Sequence, residues 1–534
     1  MNQQPPLFPE FTDTSGTHST YPVAVIELGT SAIRMAIGQT DGATGVKTLE
    51  QLVRGVSLGK DTFTRGDIRR ETLQQCVDVL RSYRSKLTEY QCTNPDNIRV
   101  VATSAVREAQ NRMAFLDRIY TATGFSVEPI DDAEIARETY LAMRPVLEMH
   151  DELCEATMML MEVGGGSTNV LLLQGPDILH AHSYRLGSLR LQEMLKQYNT
   201  ARDQARHVMT GHIERVLEQI RDVAPDGRAV KLMALGGDMR FAAHELQYDL
   251  PASAIVALPL EDLSRLTTRM LRLTVDQIVR QYHVELSQAE TLVPALLTNV
   301  LTAEMLNADN VLVTSFNLRD ALLRSLLRSA EWTEEFCGQV IRSAGEFARR
   351  HSVDLDHAEG VAQLARQLFR GLQPEHGLDL RCETVLYTAA LLHEVGLFVS
   401  QSGYHKHSYY LINHGELFGL SAVDHQLVAL VARYHRRALP KPTHEPYARL
   451  SRDNRVILLR LAGILRLAKS LDHGRSQRIR QVECHTERRR LVITVQTGVG
   501  DLSLEQLALR QDSGLFQDVF GLSVLLRQSH SRLQ

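Results

Sequence analysis

Apolar and polar positions along this chain keep two rhythms in succession. From residue 21 to about 145, short apolar runs alternate with segments whose apolar positions recur every three to four residues, as strands alternating with helices do. The pattern predicts a hairpin over 22–39, a helix near 71–90, a strand over 98–103, a helix over 107–121, a short strand over 126–130 and a helix over 132–148. Residues 157 to about 328 repeat the plan with a second hairpin, helices near 200–222 and 260–280, and strands around 230–235 and 310–314. This is an internal duplication of one α/β fold rather than a solenoid. From about 333 the period is helical, through Val361, Leu364 and Leu368, then Leu386, Ala390 and Leu391, then Leu427, Leu430 and Val431. After about 478 strands return at Val482 to Cys484 and Leu491 to Val495, and the chain closes with Leu504 to Leu509 and Phe516 to Gly521, a small α/β appendage.

The two hairpins carry matching turns. Ala24-Val25-Ile26-Glu27-Leu28-Gly29-Thr30-Ser31 and Leu160-Met161-Glu162-Val163-Gly164-Gly165-Gly166-Ser167-Thr168 are each an apolar strand with an acidic residue near its end, a turn of Gly and Ser/Thr, and a second apolar strand. Small residues let backbone N–H groups approach a ligand, and a row of free N–H groups favours an anion such as phosphate. The adjacent carboxylate suits the divalent cation that accompanies phosphate chains. Ordinary hairpins with flexible turns are the plainer reading of either copy alone; two matching copies favour the jaws of one phosphate site.

Composition adds few constraints. The 534 residues allow three or four domains, and 44% hydrophobic with 23% charged is ordinary for a globular protein. Six scattered cysteines without a CxxC predict reduced thiols and a cytoplasmic protein. No uncharged apolar run approaches the roughly 20 residues that span a bilayer. Residues 1–20, rich in Pro, Thr, Ser and Gln, read as a disordered tail rather than a signal peptide. A net charge of −4 means that any polyanion must meet a local basic surface.

The paired turns resemble the phosphate loops of the actin-like ATPase superfold, and the segments around them resemble the exopolyphosphatase / guanosine pentaphosphate phosphatase family. Val100 to Asn111 is similar to that family's Ala-Thr-Ser-Ala-x-Arg-x-Ala-x-Asn segment, Tyr184 to Leu191 to its Leu-Gly-x-x-Arg-Leu segment, and Asn317-Leu318-Arg319-Asp320-Ala321 to the segment closing its second lobe. The resemblance implies two actin-like (RNase H-like) lobes over 21–148 and 149–330, an all-α HD-like domain over 331–478 and an α/β piece over 479–534. It also implies release of terminal phosphate from inorganic polyphosphate or guanosine pentaphosphate, with Mg2+, in a homodimer with no membrane or nucleic-acid partner. By the same resemblance Glu134, in Ile130 to Arg137, is the base that activates water. Arg107 grips the transferring phosphate. Gly29, Thr30, Ser31, Gly164, Gly165, Gly166, Ser167, Thr168, Gly236 and Gly237 cradle phosphate, and Glu162 and Glu27 hold the metal. A first-turn carboxylate favoured by the helix dipole is the plainer reading of Glu134.

Departures from the family pattern fall on the chemistry. The family has Asp where this chain has Glu27 and Glu162, Glu where it has Asn169, and often Thr where it has Asp238. One methylene moves a carboxylate by about 1 Å, enough to cost about a hundredfold in rate. In the helical region His357, His393-Glu394 and Lys469 lie where metal-dependent HD phosphohydrolases place their ligands, and a lysine ammonium offers a metal no acceptor. A working metal centre is not expected there. Long exopolyphosphatases resemble the chain in this domain too, which implies a polyanion track along His405, Lys406, His407, Arg433, Arg436 and Arg437, a solvated helix face being the plainer reading. A catalytically silent polyphosphate or nucleotide sensor of the same fold is the alternative function.

Overall fold

The computed structural model describes residues 21–41, 45–175, 177–198, 202–223, 229–251, 254–327, 332–436, 438–496 and 500–529. The disordered tail expected over 1–20 lies outside them. Two compact units emerge, one of residues up to Ile130 with Glu138–Pro176 and Ser183–Glu331, the other of Asp131–Arg137, Asp177–His182 and Trp332 onward.

The first unit is built on two mixed sheets. Strands β1 (Val23–Leu28), β2 (Ala32–Asp41), β3 (Gly45–Gly55), β4 (Ile98–Ala102) and β5 (Val127–Pro129) run in the order β3-β2-β1-β4-β5. Strands β6 (Thr157–Val163), β7 (Thr168–Gln174), β9 (Val230–Leu235), β10 (Ile255–Pro259) and β11 (Asn310–Thr314) run β7-β6-β9-β11-β10, while β8 (Asp177–Tyr184) belongs for the most part to the second unit. In each sheet the hairpin pair is antiparallel, and the next two strands, β4 and β5 or β9 and β11, add in parallel. The duplication read from the hydrophobic pattern is therefore a duplication of topology. In β1 every residue but Glu27 is buried, as a central strand covered on both faces requires.

Two expectations are corrected, and one helix was not expected. The helix over 107–121 is two helices, Ser104–Arg107 and Arg112–Thr123, parted where the Asn111 amide pairs with both main-chain polar groups of Ile68, at 3.0 and 2.8 Å. The helix over 260–280 is Leu260–Leu271 followed by Val275–Tyr282, restarted by a Thr274/Gln277 capping box. Between the second hairpin's helices and β11 runs Leu286–Met305, buried almost all round and so lacking the amphipathic stripe that periodicity detects.

The second unit is mainly helical. Its helices Glu334–Arg350, Leu355–Gly371, Leu380–Leu392, Ala422–Arg433 and Arg452–Leu471 each start on a side chain that accepts from the first turn: Thr333, Asp354, Asp379, Ser421 and Ser451. Strands β12 (Val482–Glu487) and β13 (Arg490–Val495) pair antiparallel, and β14 (Ser523–Gln528), which the pattern did not reveal, adds parallel to β13. A parallel neighbour needs a crossover, supplied by helices Ser503–Asp512 and Gly514–Phe520.

Candidate active site

Both hairpin turns are closed by the same bond. Gly29 N–H donates to Ala32 O at 3.0 Å, and Gly164 N–H to Ser167 O at 2.9 Å. Neighbouring carbonyls turn inward: Thr30 O accepts from Gly59 N at 2.8 Å and Ser31 O from Val56 N at 3.1 Å. In the second turn Gly164 O accepts from Ser188 N at 2.9 Å, and Gly165 O from Leu189 N and Arg190 N at 3.0 and 3.1 Å. In a trans peptide the N–H points opposite to its C=O, so the next N–H groups, among them Ser31 and Gly166, face away from those anchors. No hydrogen bond from the N–H of Thr30, Ser31, Gly165, Gly166 or Ser167 is present among the described residues. The turns also touch: a Cβ on Gly165 would lie 2.8 Å from Thr30 Cβ. Thr168 has a different role, since its buried hydroxyl donates to Leu186 O.

The second turn is held from below. Arg190 donates from Nε to Gly166 O at 3.0 Å and from Nη2 to Glu108 at 2.8 and 3.0 Å, with its guanidinium 4.1 Å from the Phe63 ring centre. Gly187 leaves no room for a side chain: a Cβ there would stand 2.3 Å from Gly165 O and 2.4 Å from Gly166 C. These supports lay in the segments quoted from the sequence, but their function as braces shows only in three dimensions.

Beside the turns lies a cluster of acids and arginines. Arg319 reaches Glu27 at 2.6 Å, and Arg34, opposite Glu27 in the hairpin, stands 3.8 Å from it. Burial works to raise the Glu27 carboxyl, but Arg319 and Arg34 outweigh it and hold the pKa below the usual value. Glu162 goes the other way, pushed up by burial and then by the charge of Glu27. Burial raises Asp238 to about 7. Arg240 donates to Phe316 O at 3.2 Å, and its pKa is lowered by burial and then by Arg319. Sequence reasoning missed Arg34 and Arg240. A signal existed for Arg34, which occupies in the first hairpin the place of Asn169 in the second: Glu27 pairs with Arg34 as Glu162 pairs with Asn169.

The second hairpin has the donor set for a hard divalent cation. Glu162 has neither hydrogen bond nor ion pair among the described residues, and the Oδ1 of Asn169 opposite it is buried without a partner. Oxygen donors of this kind suit Mg2+. Glu27, the other expected ligand, is instead engaged by two guanidinium groups.

For Asp238 the titration has a testable consequence. Its folded pKa lies above the unfolded value of 3.8, so its contribution to stability is full below 3.8 and is lost as pH rises through about 7. Asp238→Asn, which keeps the uncharged shape, is expected to lose less stability than the wild type between pH 5 and pH 8 in metal-free buffer; urea unfolding at the two pH values measures it.

The remaining expected residues are placed as follows. Arg107 ends its short helix and donates to Ile130 O at 2.7 Å. Glu134 is buried in the first turn of the helix Asp132–Glu148, its N–H capped by Asp131 Oδ1 at 2.8 Å. Gly236, with φ 113, needs glycine; Gly237 opens the following helix.

In the second unit the ligand atoms of His357, His393 and Glu394 lie within 4.8 Å of one another. Asp472 holds His357 Nδ1 at 2.8 Å, and Arg475 takes both Glu394 oxygens at 2.7 Å. Lys469, its pKa lowered by burial, is within electrostatic reach of His393 and Glu394. Nearby, His405, Lys406 and His407 lie on the helix Tyr404–His414, Arg433 stacks 5.1 Å from the Tyr409 ring and Arg436 5.0 Å from the Tyr404 ring. Burial lowers the His405 pKa, and the charges of Arg436, Lys406, Arg433 and His407 lower it further, so these groups share one basic neighbourhood. Arg437 lies outside the described residues.

Duplicated α/β lobes presenting paired N–H turns beside half-buried acids and guanidiniums suit a protein that handles phosphate. Residues 28–330 match the Ppx/GppA phosphatase family and residues 341–513 match Ppx/GppA phosphatase domain III, so the chain belongs to the Ppx/GppA phosphatase family, whose members hydrolyse phosphoanhydride bonds. A guanosine-5'-triphosphate,3'-diphosphate pyrophosphatase of Aliivibrio fischeri is 24% identical over 451 residues, covering 83% of this chain and 86% of that protein. One from Photobacterium profundum is 25% identical over 456 residues, covering 85% and 87%. The crystal structure of an exopolyphosphatase from Cytophaga hutchinsonii shares the fold with a TM-score of 0.50 and 23% identity, over 57% of this chain and 97% of that one. No helix among the described residues is long and apolar enough to cross a membrane.

Proposed function

We propose that the chain is an exopolyphosphatase that hydrolyses the terminal phosphoanhydride of inorganic polyphosphate and also accepts guanosine pentaphosphate. The observation that carries this reading is the pair of touching turns with unbonded N–H groups beside the Glu27–Arg319–Arg34 and Glu162 carboxylates. The names of the relatives support the choice of substrates.

The turn N–H groups take the oxygens of the terminal phosphate, which asks little of the protein beyond positioning and charge. Arg319 and Arg34 keep Glu27 ionised and add positive charge beside the turns. Arg107 clamps the end of the substrate, and Glu134 takes the proton from the attacking water. The water oxygen bonds to the terminal phosphorus, the bridging P–O bond breaks, and its oxygen leaves on the shortened chain. Glu162 and Asn169 would hold Mg2+, which would supply neutralisation of the phosphate oxygens.

The first unit is read as two actin-like lobes and the second as an HD-like domain that lengthens the polyanion path and supports a cytoplasmic homodimer. If the basic neighbourhood of His405 lines that path, Lys406→Gln with Arg436→Gln should weaken binding of long polyphosphate and flatten its salt dependence. Guanosine pentaphosphate should be little affected; equal losses for both ligands would remove the track from this surface. A silent polyphosphate sensor is the second reading, favoured by the arginines on Glu27 and by the neutral Asn169. Gel analysis of polyphosphate during digestion tests the proposal: long chains should shorten from their ends with orthophosphate as the product, and mid-length fragments without orthophosphate would contradict it.

A further inference from the structure

We infer that Asp238 supplies a second carboxylate to the divalent-cation site, alongside Glu162 and the amide oxygen of Asn169, and that Glu27 belongs to the arginine pair and not to the cation. The inference rests on the phosphohydrolase reading above and specifies how this chain holds its metal.

The chain path argues for it. β9 runs parallel to β6 with Leu235 beside Glu162. The next residue, Gly236, turns with φ 113, and a Cβ there would lie 3.9 Å from Glu162 Cγ. Asp238 follows two residues later, close enough for the Glu162 charge to act on it. From the other side β7 brings Asn169 directly opposite Glu162, on the same face of the sheet. Three oxygen-bearing side chains thus arrive from three adjoining strand ends.

The accounting of cations points the same way. Arg319 and Arg34 are on Glu27, and Arg240 donates to the Phe316 carbonyl while its charge acts on Asp238 and Glu162 without forming an ion pair with either. Among the described residues no lysine or arginine makes an ion pair with Glu162 or Asp238, and Asn169 Oδ1 is buried with no partner. Two neighbouring carboxylates and an orphaned amide oxygen form a hard-oxygen set that a Mg2+ or Mn2+ ion would satisfy. Such an ion keeps further positions for water and substrate phosphate.

Mn2+ binding to the full chain without substrate, followed by loss of the free-ion electron paramagnetic resonance signal, tests the assignment. Asp238→Asn and Glu162→Gln should each weaken the site about tenfold or more, the size of loss that removal of a metal-supporting group typically brings. Asn169→Asp should tighten it, and Glu27→Gln should leave it nearly unchanged. Thermal melts of each variant confirm folding, and any ion bound at the His357 cluster is recognised by its indifference to Asp238→Asn. Unchanged binding in Asp238→Asn, or a loss in Glu27→Gln as large as that in Glu162→Gln, overturns the assignment. A chain that hydrolyses polyphosphate but takes up no Mn2+ overturns it while leaving the hydrolase reading intact. Mn2+ binding with the expected variant pattern but no hydrolysis upholds the assignment and removes the hydrolase reading.

Discussion

Gly187→Ala is expected to lower phosphate release by about a hundredfold or more while the chain still folds. The added methyl would meet main-chain atoms, Gly165 O at 2.3 Å and Gly166 C at 2.4 Å, and main chain cannot rotate away as a side chain can. The second turn must therefore move. A displacement of about 1 Å at a phosphate cradle costs on the order of a hundredfold, and overpacking adds about 1–3 kcal/mol of destabilisation. Gly211→Ala is the matched control, because that helical glycine has nothing within 4 Å of its Cβ position. It should leave turnover unchanged and raise stability by about 0.5–1 kcal/mol. Steady-state rates and melting curves of the two variants, compared side by side, decide whether turn placement limits the reaction.

Glu134→Gln should lower hydrolysis by about 100- to 10,000-fold, the range for loss of a general base. The amide keeps the shape and the helix position, and the Asp131 cap takes the Glu134 backbone N–H, which the substitution leaves in place. Polyphosphate binding should therefore survive. An undiminished rate would return Glu134 to the plainer role of a first-turn carboxylate.

The duplicated fold and its paired glycine turns were legible for one reason: their information is local. An acidic strand end followed by Gly and Ser/Thr can be read within ten residues, and its repetition announces the duplication that the two strand orders bear out. What escaped depends on distance or on the absence of pattern. The Arg319–Glu27 contact joins residues 292 apart, so no window of sequence contains it. Leu286–Met305 is buried almost all round and so shows no clear apolar stripe to detect. The break at Asn111 is set by a partner at Ile68, and β14 has its place only because a helical crossover returns it to β13. The departures at Glu27 and Glu162 were visible, but that the two glutamates differ in their partners was not.

Accumulation of orthophosphate from long polyphosphate and Mg2+, measured against the amount of polyphosphate bound in the same sample, is the most direct test of the central claim. A phosphohydrolase built on the paired turns should bind the polymer and release many equivalents of phosphate per chain, with Gly187→Ala suppressing release far more than binding. Tight binding with no more than one equivalent released would contradict it and identify a sensor that retains the cradle without the turnover.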